Sequence, residues 1–190
     1  MLQTKNAIIN VAKNLFRKMS VHKATMDDIA HEAKMSRRTL YMHFKSKKEI
    51  YRYVVEDEVE EINRKLQRAA DSKLPPDRKL RLYIINHFNI IDNLTRSNKY
   101  IRFDFLFNNM SVEQLRKDID RKEIELLKGI LKEGKESNLF KISDPETFAK
   151  SLLLMFKSLE QAFILASSRS RSSADILEYV DLLFYGILKR

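Results

Sequence analysis

Residues 25–47 read Thr25-Met26-Asp27-Asp28-Ile29-Ala30-His31-Glu32-Ala33-Lys34-Met35-Ser36-Arg37-Arg38-Thr39-Leu40-Tyr41-Met42-His43-Phe44-Lys45-Ser46-Lys47, and this stretch decides the fold. Thr25 is a good helix N-cap, and Asp28 stands three residues on, where an acid can close a capping box. Asp27 and Asp28 also complement the positive end of the helix dipole. Ile29, Ala30 and Ala33 share an inner side, and the helix is expected to stop near Lys34. Ser36 is a second N-cap, followed by a short helix from Arg37 to about Phe44. Leu40 and Phe44 lie one turn apart on its buried side, with Arg37, Arg38 and Tyr41 directed away from it. Two short capped helices separated by a tight turn predict a helix-turn-helix, the second helix presenting base-reaching side chains on its free face.

The flanking sequence extends this unit in both directions. Upstream, Ala7, Ile8, Val11, Ala12, Leu15 and Phe16 fall at helical spacing over about 3–19, with Lys5, Lys13, Arg17 and Lys18 elsewhere on the helix. Downstream, Ser46 caps a long helix through Ile50, Tyr53, Val54, Ile62 and Leu66. Its acidic run of Glu56, Asp57, Glu58, Glu60 and Glu61 reads as a solvated face, since the spacing matches no metal-ligand pattern. Pro75-Pro76 ends that helix. An apolar helix over 78–94, an aromatic-rich stretch over 99–110 and a helix from Ser111 to about Asn138 follow. Asp144-Pro145 then supplies an N-cap with Pro at the first helical position, opening a helix over 145–167. A last helix is expected over about 174–189. The chain is therefore read as all-α, with a three-helix helix-turn-helix domain over 1–46 and a helical ligand-binding and dimerisation domain over 47–190.

Composition narrows the function. Three Gly and three Pro among 190 residues are too few for a turn-rich β fold. The chain has no Cys, which removes disulfides and thiolate chemistry and suits a reducing cytoplasm. It shows neither a signal peptide nor an apolar run long enough for a membrane span, so cytoplasmic location and no membrane partner are expected. Nothing points to an enzyme: His22, His31, His43 and His87 have no metal-ligand spacing, and no nucleotide-binding Gly-rich loop is present. No catalytic residue, metal or cofactor is assigned. The net charge is +10, and residues 1–50 hold 11 Lys or Arg against 4 Asp or Glu. That concentration of positive charge suits a polyanion, although a basic surface kept for solubility has the same composition.

The 25–47 stretch resembles the N-terminal signature of the TetR family of transcriptional regulators. The matching positions are Ile29-Ala30, Ala33, Ser36, Thr39-Leu40-Tyr41, His43-Phe44 and Ser46-Lys47, followed by Glu49-Ile50-Tyr51. The resemblance implies a sequence-specific regulator, a repressor released from a double-stranded DNA operator by a small apolar or aromatic ligand. It implies that Thr25, Ser36, Arg37, Arg38, Thr39, Tyr41, His43 and Lys47 contact DNA. Arg37 and Arg38 would read bases, because Arg can donate two hydrogen bonds to guanine. Tyr41, His43 and Lys47 would hold phosphates. The family usually has Gly where Lys34 stands, a position that often needs positive φ, and often a small residue at Arg38.

The rest of the chain is read with two alternatives open. Leu154, Phe156, Leu159, Phe163, Val180, Phe184 and Ile187, on the last two helices, are the expected homodimer interface, or else they close the subunit's own core. Tyr83, His87, Phe88, Ile91, Phe103, Phe107, Met110 and Met155 are expected to line an effector pocket, although each also reads as ordinary core. His87 is the conspicuous polar group of an apolar helix, read as a ligand contact or as a buried histidine bonded to backbone.

Overall fold

The computed structural model describes residues 2–97 and 113–165, and residues 178, 180–182 and 184 of a last helical stretch. Phe103, Phe107, Met110 and Ile187, and the side chain of Phe163, lie outside the described residues. Among the described residues there is no β-strand. The helices are α1 Leu2–Lys18, α2 Met26–Glu32, α3 Arg37–His43, α4 Lys47–Ala70, α5 Pro76–Ser97, α6 Glu113–Glu136 and α7 Pro145–Leu165.

The chain sorts into two compact units. The first holds α1, α2, α3 and α4 as far as Glu60, with the end of α5 and the start of α6. Its core combines Ile8, Ala12 and Phe16 of α1 with Ile29 of α2, Leu40 of α3, Phe44, and Ile50 and Val54 of α4, all at most 1% exposed. Phe16 meets Tyr51 edge-on with ring centres 6.0 Å apart, and Phe44 meets Tyr53 at 5.6 Å. The first unit thus includes more of α4 than the motif boundary at residue 46. The acidic run explains part of this. Asp57 and Glu58 pair with Lys13 at 2.9 and 3.2 Å, and Glu58 also takes Arg17 at 2.8 Å. Instead of a solvated face, this part of α4 neutralises the basic side of α1.

The turn between α2 and α3 closes by a Schellman motif. Met35 N–H donates to the Ala30 carbonyl and Lys34 N–H to the His31 carbonyl, both at 3.0 Å. That pattern needs a left-handed residue after the cap, and Lys34 adopts it with φ 53°. The family's Gly preference at this position therefore has its physical reason here, and Lys34 carries the cost of a Cβ. Lys34→Gly is expected to raise stability by roughly 1 kcal/mol, a Tm gain of a few degrees in a thermal melt. An unchanged or lower Tm would contradict strain at this turn. The end of α6 repeats the device with Asn138 at φ 63°, Leu139 donating to Gly134 and Asn138 to Lys135. Gly134 is required by a close approach, because a Cβ there would lie 2.1 Å from the Phe140 ring.

The second unit packs the later part of α4 with α5, α6, α7 and the last helical stretch. Its core includes Leu66, Leu80, Tyr83, Phe88, Leu127, Ile130, Phe140, Leu152 and Phe156, with Val180 and Phe184. Asp144 caps α7 as expected, its carboxylate accepting Thr147 N–H at 2.8 Å.

Candidate nucleic-acid interface

The helix-turn-helix is held by its caps, and those caps divide its polar residues into two groups. Thr25 accepts Asp28 N–H at 3.1 Å, and Asp28 returns a bond to Thr25 N–H at 2.9 Å, completing the capping box. The Thr25 hydroxyl also donates to the Asp28 carboxylate at 2.7 Å. Its only proton is thus committed, and a phosphate contact would require giving up that bond. These bonds hold the Asp28 carboxyl below the usual carboxylate range. Ser36 accepts Thr39 N–H at 3.0 Å, and the Ser36 and Thr39 hydroxyls lie 2.8 Å apart. Two hydroxyls sharing one proton leave a second O–H free to donate, so this pair keeps a phosphate-binding donor.

On α3, Arg37 and Arg38 are both exposed, but their surroundings differ. Arg37 pairs with Asp27 at 3.2 Å and lies over the Tyr41 ring at 5.7 Å. Its hydrogen bond to Tyr41, with the Asp27 charge, holds its pKa above the ordinary guanidinium value. Arg38 makes no ion pair among the described residues. The Arg38 guanidinium is therefore unpaired on the exposed side of α3, whereas Arg37 would exchange partners to bond any other group. Tyr41 is 43% exposed, and His43 is half-buried at the end of α3. Met42, which the sequence reading did not single out, is 75% exposed. An apolar side chain that open on this helix suits contact with a thymine methyl group.

Lys47 has a structural task as well. Its ammonium donates to the carbonyls of Ala24 at 2.6 Å and His22 at 3.2 Å, tying the start of α4 to the loop before α2. An ammonium has three donors, so one remains for a phosphate. Lys13 and Arg17 are neutralised by α4, so among the described residues of the first unit the unpaired positive charge falls on other exposed cations. Lys34, Arg38, Lys45 and Lys48 are exposed and make no ion pair among the described residues.

In the second unit, the residues expected to line an effector pocket lie in or against the core. Tyr83 is 0%, Phe88 3% and His87 4% exposed, while Ile91 and Met155 are half-buried. The His87 ring is bonded to side chains rather than to backbone. Its Nδ1 lies 3.1 Å from Glu123 Oε2 on α6, and its Nε2 lies 2.6 Å from Glu160 Oε1 on α7. With a carboxylate at each nitrogen, both carry protons and the ring is an imidazolium. Burial alone would depress its pKa, but the two carboxylates outweigh it and push the value up to about 10. The Tyr83 hydroxyl donates to the same Glu123 oxygen at 3.4 Å, and burial and that charge push its pKa well up. The rings of Phe88 and Phe156 pack around the imidazole at 5.3 and 4.9 Å.

Of the expected interface residues, Phe156, Val180 and Phe184 are at most 5% exposed and belong to the chain's own core, with Leu159 packed partly against it. Leu154 is 68% exposed, and Leu182, absent from the sequence reading, is 72% exposed.

A capped two-helix unit bearing exposed cations, followed by a unit that is helical among the described residues, is the architecture of a helix-turn-helix protein with a helical second unit. Residues 8–54 match the family described as "Bacterial regulatory proteins, tetR family". The chain is 24% identical over 160 residues to the HTH-type transcriptional regulator YhgD of Bacillus subtilis (strain 168), covering 83% of each chain. It superposes on a TetR/AcrR-family regulator from Thermobifida fusca with TM-score 0.78, at 20% identity and 95% coverage of both chains. The multidrug-pump repressor SmeT of Stenotrophomonas maltophilia, solved in complex with triclosan, aligns with TM-score 0.74 at 16% identity, covering 98% of this chain and 92% of its own. The match to this family covers the first quarter of the chain, and over its whole length the chain is similar in fold to solved TetR-family regulators. Among the described residues no helix is long and apolar enough to cross a membrane.

Proposed function

We propose that the protein is a repressor that binds a two-fold symmetric DNA operator as a homodimer and leaves it when a small apolar or aromatic ligand binds the second unit. The observation that carries the DNA half is the recognition face of α3. Arg38 is exposed without an ion pair, beside Tyr41, His43 and the Ser36–Thr39 hydroxyl pair, with Lys47 at the start of α4. Two such faces in a dimer would enter successive major grooves about 34–36 Å apart. Leu154 and Leu182, exposed apolar residues of the second unit, support self-association through α7 and the last helical stretch.

The ligand half is drawn from the precedent of SmeT with triclosan and from Tyr83, Phe88, Ile91 and Met155, aromatic and apolar side chains of the second unit that would part to line a ligand. His87 would offer such a ligand its ring face, since both its N–H groups are engaged. α4 contributes residues to both units, and we assign the coupling to it. A ligand with higher affinity for a state whose reading helices are wrongly spaced shifts the population away from DNA. A reporter placed behind the bound operator tests the direction of control. Expression is expected to be low with the protein and high without it; the reverse would make the protein an activator.

Lys47→Ala is expected to weaken operator and random duplex in similar proportion and to lower the salt dependence of binding by about one counterion. Undiminished affinity for random DNA would remove Lys47 from the phosphate contacts and leave it only its loop-tethering role.

A further inference from the structure

We infer that a groove between α4 and α6 in the second unit is a binding site for a small phosphorylated metabolite carrying two or more negative charges. The groove has a volume of about 590 Å³, the size of a small-molecule site. Arg64 and Arg68 of α4 line one wall, and Arg121 and Lys122 of α6 the other, where Glu125 is the acidic lining residue. Arg64 and Arg68 stand four residues apart and so project from one side of their helix.

The pairing pattern on α4 distinguishes this wall from ordinary surface charge. Away from the groove, Arg52 pairs with Glu56 at 3.6 Å and Lys65 with Glu61 at 3.0 Å. Arg64, Arg68 and Lys122 have no ion pair among the described residues. Arg121 pairs with Asp118 at 3.4 Å, and Glu125 with Lys128 at 3.5 Å. Arg64, Arg68 and Lys122, gathered without counter-charges of their own, repel one another, and a bound anion removes that repulsion. Guanidinium groups suit phosphate in particular, because their planar fork donates two parallel bonds to it.

A second observation points to the same groove. Asn63, on the α4 wall, keeps its side-chain oxygen buried with no hydrogen-bond partner. Buried carbonyl oxygens without a donor are uncommon, and a hydroxyl-bearing ligand beside Asn63 would supply one if the amide turned towards the groove. The half-buried Leu126 and the arginine methylenes give the groove an apolar floor for the ligand's carbon skeleton. A nucleic acid is the weaker fit: the groove is a ligand-sized concavity, and the cations of the recognition face belong to the other unit.

Calorimetric titration of the full-length protein with fructose 1,6-bisphosphate and with pyrophosphate, in the absence of DNA, tests this without depending on the operator reading. Saturable binding of at least one of the two is expected, and none of the monoanion acetate. Arg64→Gln with Arg68→Gln is expected to weaken the binding by about tenfold or more. These side chains are exposed, so the melting temperature should hold and show that the fold is intact. Arg38→Gln, in the first unit, should leave the binding unchanged. No saturable binding of either probe would overturn the assignment, as would equal affinity in the double variant. Loss of random-duplex affinity in the double variant, with bisphosphate binding retained, would give the groove to nucleic acid instead.

Discussion

Replacing His87 by Leu is expected to lower the stability of the protein by about 3–5 kcal/mol. Leu fills much of the same space, so the loss is electrostatic rather than a cavity. His87 is the cation between Glu123 and Glu160, whose side chains are 7% and 14% exposed. Without it two carboxylates face each other in a poorly hydrated core, and Tyr83 donates to only one of them. At about 2–4 °C per kcal/mol for a chain of this size, the melting temperature should fall by roughly 10 °C. Removing the orphaned charges as well, with Glu123→Gln and Glu160→Gln, should recover part of the loss.

The same cluster sets a pH dependence with a definite sign. The folded pKa of about 10 lies above the ordinary 6.5, so protonation favours the folded state. This contribution is complete below about pH 6.5 and is lost as pH rises through 10. Urea titrations across that range should show the parent losing stability towards alkaline pH more steeply than His87→Leu. Parallel pH profiles, or a variant as stable as the parent at pH 7, would contradict the imidazolium assignment.

Arg38→Ala is expected to remove about 1–3 kcal/mol of discrimination between operator and random duplex, the worth of one bidentate contact to a guanine. Affinity for random DNA should fall much less. Arg37→Ala should have the smaller effect on discrimination, because Arg37 gives up Asp27 and Tyr41 to reach a base, and that exchange offsets part of its gain. Equal losses on operator and random DNA for Arg38→Ala would place this residue on phosphate rather than on a base.

The helix-turn-helix was legible because its signals are local. Thr25, Asp28 and Ser36 bond backbone groups within three residues of themselves, so spacing alone locates both caps. Lys34 was legible as a difficulty, since the turn needs a left-handed residue and the sequence offers one with a Cβ. What could not be read were partners distant in the chain. Glu123 and Glu160 lie 36 and 73 residues from His87, and no periodicity connects them. The tether from Lys47 to the carbonyls of His22 and Ala24 was not legible either, because backbone acceptors leave no trace in sequence. Phe156, Val180 and Phe184 have the same apolar pattern whether they face a second subunit or their own core, and only their burial separates the cases.

The central claim is that α3 reads a specific DNA sequence, and selection of genomic fragments by the purified full-length protein tests it most directly. Sequencing the bound fragments against the input, with excess random competitor DNA present, should give one enriched motif. Its two half-sites should be inverted repeats with centres about one helical turn apart, and Arg38→Ala should blur one position in each half. A bound pool no different from the input would contradict the account, because the basic face of the first unit would then hold DNA by charge alone.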